Sequence, residues 1–247
     1  MDPDKFSQLY TSSEYTEKVG DYHVRDSPFK WKNFEKCVTS ARDKGLIPVE
    51  SVVNVCEVGC GVGGILHCLR QSNLFPALSR VDGWDINPTA ILIAKSKNSE
   101  INFYCQDLFL SDAKYDLVLC ADVFEHVENP YLFLRNLRKT SKYFLFNIPL
   151  ESNLLSMLQG KRIMRRSFDS VGHLHFYSAS TAELILEVSG YRLLSKRFAF
   201  DRTGNLSAYP SLKKTIAAAP QFLLEKLSPY LSSVIMGDHL VVLASSL

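Results

Sequence analysis

The sequence predicts an α/β fold in which a mostly parallel sheet of seven strands carries helices on both faces. Between residue 51 and about residue 148, short apolar runs alternate with helix-like segments, which is typical of a parallel sheet. The 247 residues are 46% hydrophobic and 22% charged, a globular composition that excludes intrinsic disorder. A glycine-rich turn separates the first apolar run from a helical segment, as expected where a buried strand gives way to a helix.

The predicted strands are short. The first, Val52–Val58, is rich in valine, as a strand buried on both faces should be. The other six are predicted at about Arg80–Asp85, Ile101–Cys105, Asp116–Cys120, Lys142–Asn147, Tyr191–Phe200 and His239–Ala244.

The predicted helices are marked by their caps. Asn87 and Asn129 each precede a proline, which predicts two helix starts, the second helix running to about Lys139. Ser180 and Glu183 predict a capping box for a helix that stops at Gly190. Further helices are expected around 4–19, 28–44 and 63–71. We expect a loop over 151–172 and a helical insertion over about 205–236, broken by its three prolines.

Charge and cysteine usage restrict the class of protein. A formal net charge of +2 gives no reason to expect a nucleic-acid partner. The six cysteines form no CxxC pair and several lie in apolar runs, so we expect reduced, mostly buried thiols in a cytoplasmic protein. No apolar signal region and no apolar run of about 18 residues is present, so we expect no transmembrane helix.

The strongest functional signal is the turn Glu57-Val-Gly59-Cys-Gly61-Val-Gly63-Gly64. Glycines here let a ligand lie against bare backbone, and the following helix offers unpaired N–H groups. Gly59, Gly61 and Gly64 also satisfy the dinucleotide pattern GxGxxG, so a nicotinamide dinucleotide is the competing cofactor. Glu57 argues against it, because its carboxylate would repel a pyrophosphate but suits a ligand carrying an ammonium group.

Four motifs in order give the chain a family resemblance. They are the glycine turn, Gly83-Trp-Asp85-Ile-Asn-Pro, Cys105-Gln-Asp107-Leu, and Tyr115-Asp-Leu-Val-Leu-Cys-Ala-Asp122-Val-Phe-Glu125-His126-Val, each at the carboxyl end of a predicted strand. The chain thereby resembles class I S-adenosylmethionine-dependent methyltransferases, and most closely the small-molecule branch that includes ubiquinone-biosynthesis O-methyltransferases. The resemblance covers roughly 50–148 and continues through Gly172-His-Leu-His-Phe-Tyr-Ser to the C-terminal strands. It implies a Rossmann-like sheet whose last strand is antiparallel.

The resemblance also implies a cofactor site. S-adenosyl-L-methionine would be bound, and S-adenosyl-L-homocysteine released, by Glu57, Gly59, Cys60, Gly61, Gly63, Asp85, Ile86, Asp107, Leu108, Cys120, Ala121 and Asp122. Asp85 would accept hydrogen bonds from the ribose hydroxyls, and Ile86 would pack on the adenine. Asp107 would accept from the adenine amino group, and Leu108 would offer its backbone. The residues 120–122 would border the methionine part and the methyl group.

Catalytic residues are harder to assign. His126 and His23 are the candidates for a general base, since a histidine titrates near neutrality. His126 could equally hold its loop. We expect no metal, because the Glu125-His126 pair alone is not a divalent-cation site and the His173-x-His175 pair lacks a third ligand.

The expected domain plan is an N-terminal helical lid over 1–50 and a methyltransferase domain over 51–247. Tyr22, His23 and Trp31 are predicted to belong to the lid, and the 151–177 loop and the 205–236 insertion to cap the substrate. The expected function is methyl transfer to a small molecule, at oxygen or carbon, by a monomer or homodimer without membrane contact. Methylation of a protein or RNA, and a non-catalytic cofactor-binding relative, are the alternatives.

Overall fold

The computed structural model describes residues 13–204 and 212–247, with side chains from Arg25 onward apart from 202, 204 and 212–217. Its centre is a seven-stranded sheet, as the sequence predicts, and the strands lie in the order β3-β2-β1-β4-β5-β7-β6. Only β7 runs antiparallel, lying between β5 and β6. The strands are β1 Asn54–Val58, β2 Arg80–Asp85, β3 Asn102–Cys105, β4 Tyr115–Ala121, β5 Ser141–Leu150, β6 Tyr191–Ala199 and β7 Asp238–Ser246.

Ten α-helices of the described residues connect and cover these strands. They are α1 Ser13–Arg42, α2 Gly64–Gln71, α3 Pro88–Lys97, α4 Pro130–Leu137, α5 Leu154–Gln159, α6 Lys161–Val171, α7 Ala179–Val188, α8 Asp201–Gly204, α9 Leu212–Leu227 and α10 Pro229–Met236. No described helix combines the length and the apolar character that crossing a bilayer requires.

The sheet separates two apolar cores. Alternate residues of a strand point to opposite faces, so Val55 and Leu117 join one core while Cys56 and Val118 join the other. Helix α1 packs on the first core and α7 on the second. The six cysteines are free, and four of them are buried. The thiols are thus mostly buried, as predicted, with Cys105 exposed.

Local caps decide where several helices begin. Asn87 Oδ1 accepts from Ala90 N at 3.0 Å and Asn129 Oδ1 from Leu132 N at 3.0 Å, so both predicted asparagine caps are confirmed. The predicted capping box at Ser180 and Glu183 is wrong. Ser178 and Thr181 form it instead, with Ser178 N donating to Thr181 Oγ1 at 2.9 Å.

Three other expectations are corrected. The predicted loop over 151–172 contains α5 and α6, and neither helix has a buried residue. The basic cluster of α6 made the segment read as polar, although Ile163, Met164, Phe168 and Val171 recur at helical spacing. The predicted break between 19 and 28 is absent, since α1 continues through Pro28 and the burial of residues such as Phe34 and Val38 offsets the proline's cost of about 3 kcal/mol. Pro220 likewise lies inside α9, whereas Pro229 begins α10 as predicted; Pro210 lies outside the described residues.

Candidate functional site

The candidate site lies where the strand order reverses. Strands β2 and β3 continue from β1 in one direction and β5 continues from β4 in the other, so a crevice opens at the carboxyl ends of β1 and β4. In open α/β sheets this switch point is where ligands bind. The four motifs found in the sequence all end at this edge.

The glycine turn is held against β2. Gly59 N and Cys60 N both donate to the carbonyl oxygen of Trp84, at 2.8 and 3.1 Å. Gly59 has φ +67°, and a Cβ there would lie 2.5 Å from Val123 Cγ2, so only glycine fits. Gly61 has φ +52° and open space where a Cβ would be. The turn therefore leaves a gap beside bare backbone.

Asp85, the last residue of β2, faces this gap. Its Oδ2 accepts from Gly61 N at 2.7 Å and its Oδ1 from Asn87 N at 2.8 Å. Burial raises the pKa of Asp85, while these backbone donors oppose the rise. Each oxygen retains a lone pair for a ligand. The next residue, Ile86, is 51% exposed and presents an apolar side chain beside the gap.

Glu57, near the end of β1, is buried at the base of the crevice. Its Oε2 has no hydrogen-bond partner among the described residues. Burial raises the pKa of Glu57 well above its usual range, although the charge of Lys30 acts in the opposite direction. An unsatisfied buried carboxyl is costly, and a cationic donor entering the crevice would remove that cost. Glu57 thus suits a ligand whose ammonium group supplies the missing hydrogen-bond donor and positive charge.

Asp107 and Leu108 follow β3. Asp107 Oδ1 accepts from Phe109 N at 2.9 Å and caps a short 3-10 turn over Leu108–Leu110. The side chain of Leu108 is buried in the second core, so only its backbone could meet a ligand. Cys120 is also buried in that core and Cys60 in the first. The two cysteines likewise could offer a ligand only their backbone.

Asp122, just after β4, is joined to helix α1. It has φ +53°, and its Oδ1 accepts from Asn147 Nδ2 at 2.7 Å. Its Oδ2 pairs with Lys30 Nζ at 2.5 Å, and Lys30 also pairs with Asp26 at 2.8 Å. Burial alone would raise the pKa of Asp122, but Lys30 outweighs it and holds that pKa well below its usual range. Sequence reasoning missed this role of Lys30, although the i, i+4 spacing from Asp26 was a signal for the helical half of the pair.

A cavity of about 610 Å³ adjoins these charges. Asp26, Lys30, Asp122, His126, Glu151 and His173 are among the residues that line it, and so is His239 of β7. Burial alone would lower the pKa of His239, but its hydrogen bond to Asp238 and the charge of Asp122 raise it to about 9. At neutral pH His239 therefore adds a positive charge to the cavity wall.

Three potential metal ligands meet beside this cavity. One ligand atom each from Glu125, His126 and His173 lies within 4.8 Å of the others. The fold thus brings His173 to the Glu125-His126 pair, whereas His175, the other histidine of the HxH pair, is not among the three. His126 Nε2 lies 4.0 Å from Glu125 Oε1, and burial raises the pKa of Glu125 well above its usual range. The set offers two imidazoles and one carboxyl, donors that divalent cations use.

The two histidines of the HxH pair have different partners. His173 Nδ1 lies 2.6 Å from Glu151 Oε2, whereas His175 Nε2 lies 3.0 Å from the backbone oxygen of Val127. Only His173 lines the cavity. His175 therefore fixes the loop.

The proposed lid residues lie apart from this cavity or outside the described side chains. Trp31 packs in the first core, 7% exposed. His23 and Tyr22 lie on the backbone of α1, but their side chains are outside the described residues. Any part of the segment that closes over the crevice would thus lie before Trp31.

A family model described as "Methyltransferase domain" matches residues 23–196, well over half of the chain. A ubiquinone biosynthesis O-methyltransferase of Rickettsia bellii is 33% identical over 95 residues, covering 37% of this chain and 39% of that protein. The one from Rickettsia akari is 29% identical over 143 residues, covering 56% and 54%. The match thus spans about half or less of these curated relatives.

Solved structures share the fold over almost the whole chain. The magnesium protoporphyrin IX methyltransferase of Synechocystis PCC 6803, crystallised with S-adenosylhomocysteine, has a TM-score of 0.61 at 16% identity and covers 99% of this chain and 100% of its own. The plantazolicin methyltransferase, also crystallised with S-adenosylhomocysteine, has a TM-score of 0.59 at 18% identity, with 98% of both chains covered. At identities of 16% and 18%, the likeness to these two structures shows a shared fold alone.

Proposed function

Because this chain belongs to the methyltransferase-domain family, we propose that it binds S-adenosyl-L-methionine and transfers the methyl group to a small-molecule acceptor. The observation that carries the proposal is the unsatisfied Oε2 of buried Glu57 behind a glycine turn that leaves a gap at Gly61. A ligand with an ammonium group at one end and vicinal hydroxyls farther along would engage Glu57 and Asp85 together. Methionine and ribose carry those groups in this cofactor.

The proposed cofactor residues follow the crevice from β1 to β4. Glu57 would hold the ammonium, and the backbone of Gly59, Cys60, Gly61 and Gly63 would enclose the methionine part. Asp85 would bind the ribose and Ile86 the adenine face, while Asp107 and the Leu108 backbone would meet the adenine edge. Cys120, Ala121 and Asp122 would border the reacting end, where ionised Asp122 favours a positive charge nearby.

The cofactor supplies an activated methyl group on a positively charged sulfur. The chain's own task is therefore to align the acceptor with that methyl and to exclude water. Charge disperses as a neutral acceptor meets a cation, and the fixed dipoles and ion pairs around Asp122 replace lost solvation. A proton leaves only if the acceptor atom carries one. His126 and His23 remain candidates for accepting it.

The proposed acceptor is a small molecule that reacts through oxygen or carbon. A cavity of about 610 Å³ next to Asp122 is in the size range of small-molecule pockets. The curated relatives from Rickettsia are named as O-methyltransferases. Strand β4 leads into Cys120-Ala-Asp122-Val and lacks the Asn-Pro-Pro-Tyr type of motif with which many amino-methylating relatives hold a planar amine. A cytoplasmic location, a monomer or homodimer, and a lid formed by the start of the chain complete the proposal.

Calorimetric titration with S-adenosylmethionine, S-adenosylhomocysteine and NADH tests the cofactor. We expect micromolar binding of the first two and none of NADH, because the Glu57 carboxyl disfavours a pyrophosphate. Binding of NADH alone would refute the proposal in favour of a dinucleotide enzyme. Binding of the sulfur compounds without turnover of any small-molecule, protein or RNA acceptor would indicate a non-catalytic relative.

A further inference from the structure

Three acidic side chains surround the crevice in which the cofactor would lie. Glu57 is near the end of β1, Asp85 ends β2, and Asp122 directly follows β4. Burial is the main cause of the raised pKa of Glu57, and the charges of Asp85 and Asp122 add to it, while Lys30 opposes it. The three carboxyl groups are therefore close enough to interact, and together they favour positively charged groups of a ligand.

Asp122 lies where the crevice meets the proposed acceptor site, the cavity of about 610 Å³ that it lines. The next residue, Val123, lies against the glycine turn, since a Cβ on Gly59 would be 2.5 Å from Val123 Cγ2. The segment Asp122-Val123 thus faces the cofactor turn on one side and the acceptor cavity on the other. The reacting sulfur of the cofactor would meet the acceptor at this boundary.

The carboxylate of Asp122 is fixed in position. Its Oδ1 accepts from Asn147 Nδ2 at 2.7 Å, and its Oδ2 pairs with Lys30 Nζ. The side chain is 15% exposed, so little water is available to screen its charge. The backbone of Asp122 has φ +53°, a left-handed conformation that is uncommon outside glycine and persists only where the surrounding structure holds it.

Lys30 compensates the charge of Asp122 only in part. Its ammonium group pairs with Asp26 as well as with Asp122, so one positive charge is divided between two carboxylates. Burial alone would lower the pKa of Lys30, but these carboxylates outweigh it and raise that pKa, which keeps Lys30 charged. On another side of the cavity, the protonated imidazole of His239 is paired with Asp238. A further positive charge beside Asp122 would therefore be attracted.

The cofactor and its product differ by one charge at the reacting sulfur. The sulfur of S-adenosylmethionine is positively charged, whereas that of S-adenosylhomocysteine is neutral. Methyl transfer neutralises it, because the C–S bond breaks with its electron pair left on sulfur while a lone pair of the acceptor forms the new bond to carbon. The positive charge passes to the acceptor and leaves as a proton if the acceptor atom carries one.

We propose that Asp122, held by Lys30 and Asn147, selects the charged sulfur of S-adenosylmethionine over the neutral sulfur of S-adenosylhomocysteine; this inference rests on the proposed function. The carboxylate attracts the cofactor before transfer and loses that attraction once the methyl group has left. Asp122 thereby favours release of the product, and inhibition by accumulated S-adenosylhomocysteine is weak.

The test measures three dissociation constants by calorimetry near neutral pH. S-adenosylmethionine and sinefungin both carry a positive charge at the reacting position, the latter as a protonated amine on carbon, whereas S-adenosylhomocysteine is neutral there. The proteins are the wild type, Asp122→Asn and Asp122→Ser, which remove the charge, and Asp122→Glu, which keeps it. Asp116→Asn is the matched control, because Asp116 belongs to β4 but bonds to the backbone N–H groups of Val53 and Asn54.

We expect the wild type and Asp116→Asn to bind both charged ligands at least about tenfold more tightly than S-adenosylhomocysteine, because a charge pair in a partly desolvated site is only weakly screened. The two neutral variants should reduce this preference to about threefold or less, and Asp122→Glu should retain most of it. Asparagine tolerates the left-handed backbone as aspartate does, and urea unfolding checks that each variant is folded. A variant that is merely destabilised would weaken all three ligands alike and leave their ratios unchanged.

Equal affinity of the wild type for S-adenosylmethionine and S-adenosylhomocysteine would overturn the proposal, and so would a preference that the neutral variants keep. A preference for S-adenosylmethionine that sinefungin does not share would also overturn it, because contacts of the methyl group would then account for the difference. Failure of the wild type to bind any of the three ligands would instead refute the proposed function.

Discussion

Replacing Asp85 by alanine should separate a ligand-binding role from a structural one, because the chain offers a matched carboxylate. Asp85 accepts from two backbone N–H groups, those of Gly61 and Asn87. Asp116 does the same near the amino ends of β1 and β4, at the other end of these strands from the crevice. There its Oδ2 accepts from Val53 N at 2.9 Å and Asn54 N at 2.8 Å. Asp116→Ala thus removes the same structural bonds away from the crevice.

The expected magnitudes follow from those bonds. Each substitution leaves two backbone donors without their acceptor, so both variants should lose about 1–3 kcal/mol in the free energy of unfolding. Only Asp85→Ala also loses a charge-assisted contact to the ribose, worth about 1–3 kcal/mol. At about 1.4 kcal/mol per factor of ten, its Kd for S-adenosylhomocysteine should rise roughly 5- to 150-fold.

The assay pairs calorimetric titration with urea unfolding for the wild type and both variants. The Kd of Asp116→Ala should remain within twofold of wild type although its stability falls. An Asp85→Ala protein whose Kd also stays within twofold would refute the ribose assignment. Equal weakening in both variants would show that the effect comes from general destabilisation of the sheet.

Three further outcomes are expected. Gly61→Ala should weaken S-adenosylhomocysteine binding at least tenfold, because the added methyl group fills the gap beside the glycine turn. Gly45→Ala, with a similar positive φ and equally open surroundings, should leave Kd unchanged, although both substitutions should lower the free energy of unfolding by about 1–2 kcal/mol. Equal Kd values for the two variants would contradict the assignment of Gly61 to the cofactor site. Tyr115→Phe should lower the free energy of unfolding by about 1–3 kcal/mol without changing Kd, because the buried hydroxyl accepts from Trp84 Nε1 at 2.8 Å and donates to Asp82 at 2.7 Å. Urea unfolding measures this loss, and an unchanged midpoint would be inconsistent with it. Because its pKa is raised to about 9, protonated His239 contributes up to about 3 kcal/mol to the free energy of unfolding below about pH 6.5, and this contribution is lost as the pH rises through about 9. His239→Gln should flatten this part of the pH–stability curve, whereas the surface variant His67→Gln should retain it.

The features that the sequence predicted well are those decided by neighbours in the chain. The bounds of β2 agree to the residue, and Asn87 begins α3 with one bond to Ala90. The glycine turn was recognisable because a backbone with positive φ needs glycine whatever surrounds it. Continuous apolar runs were sufficient for the buried centres of β4 and β5.

The features that it missed depend on distant residues or on weak local signals. The pair of Lys30 with Asp122 joins residues far apart in the sequence, as does the pair of Glu151 with His173. Helices α5 and α6 have no buried residues, and the four basic residues of α6 obscured its apolar stripe of Ile163, Met164, Phe168 and Val171. Ser178 was overlooked as a cap because Ser180 and Glu183 fit the usual capping-box pattern, yet Glu183 pairs with Lys196 instead, at 2.6 Å.

The position of β7 between β5 and β6 has a consequence for the order of folding. Strand β6 pairs only with β7 in the described sheet, so Tyr191–Ala199 remains an unpaired edge until Asp238–Ser246 has been synthesised. During translation, the first five strands can assemble early, whereas β6 and β7 join the sheet in one late step. That step closes the long connection between them, which contains α8, α9 and α10. Transient exposure of β6 then makes nascent chains prone to aggregation, and pulse-labelling hydrogen exchange should find β6 and β7 gaining protection together, after β1 and β4.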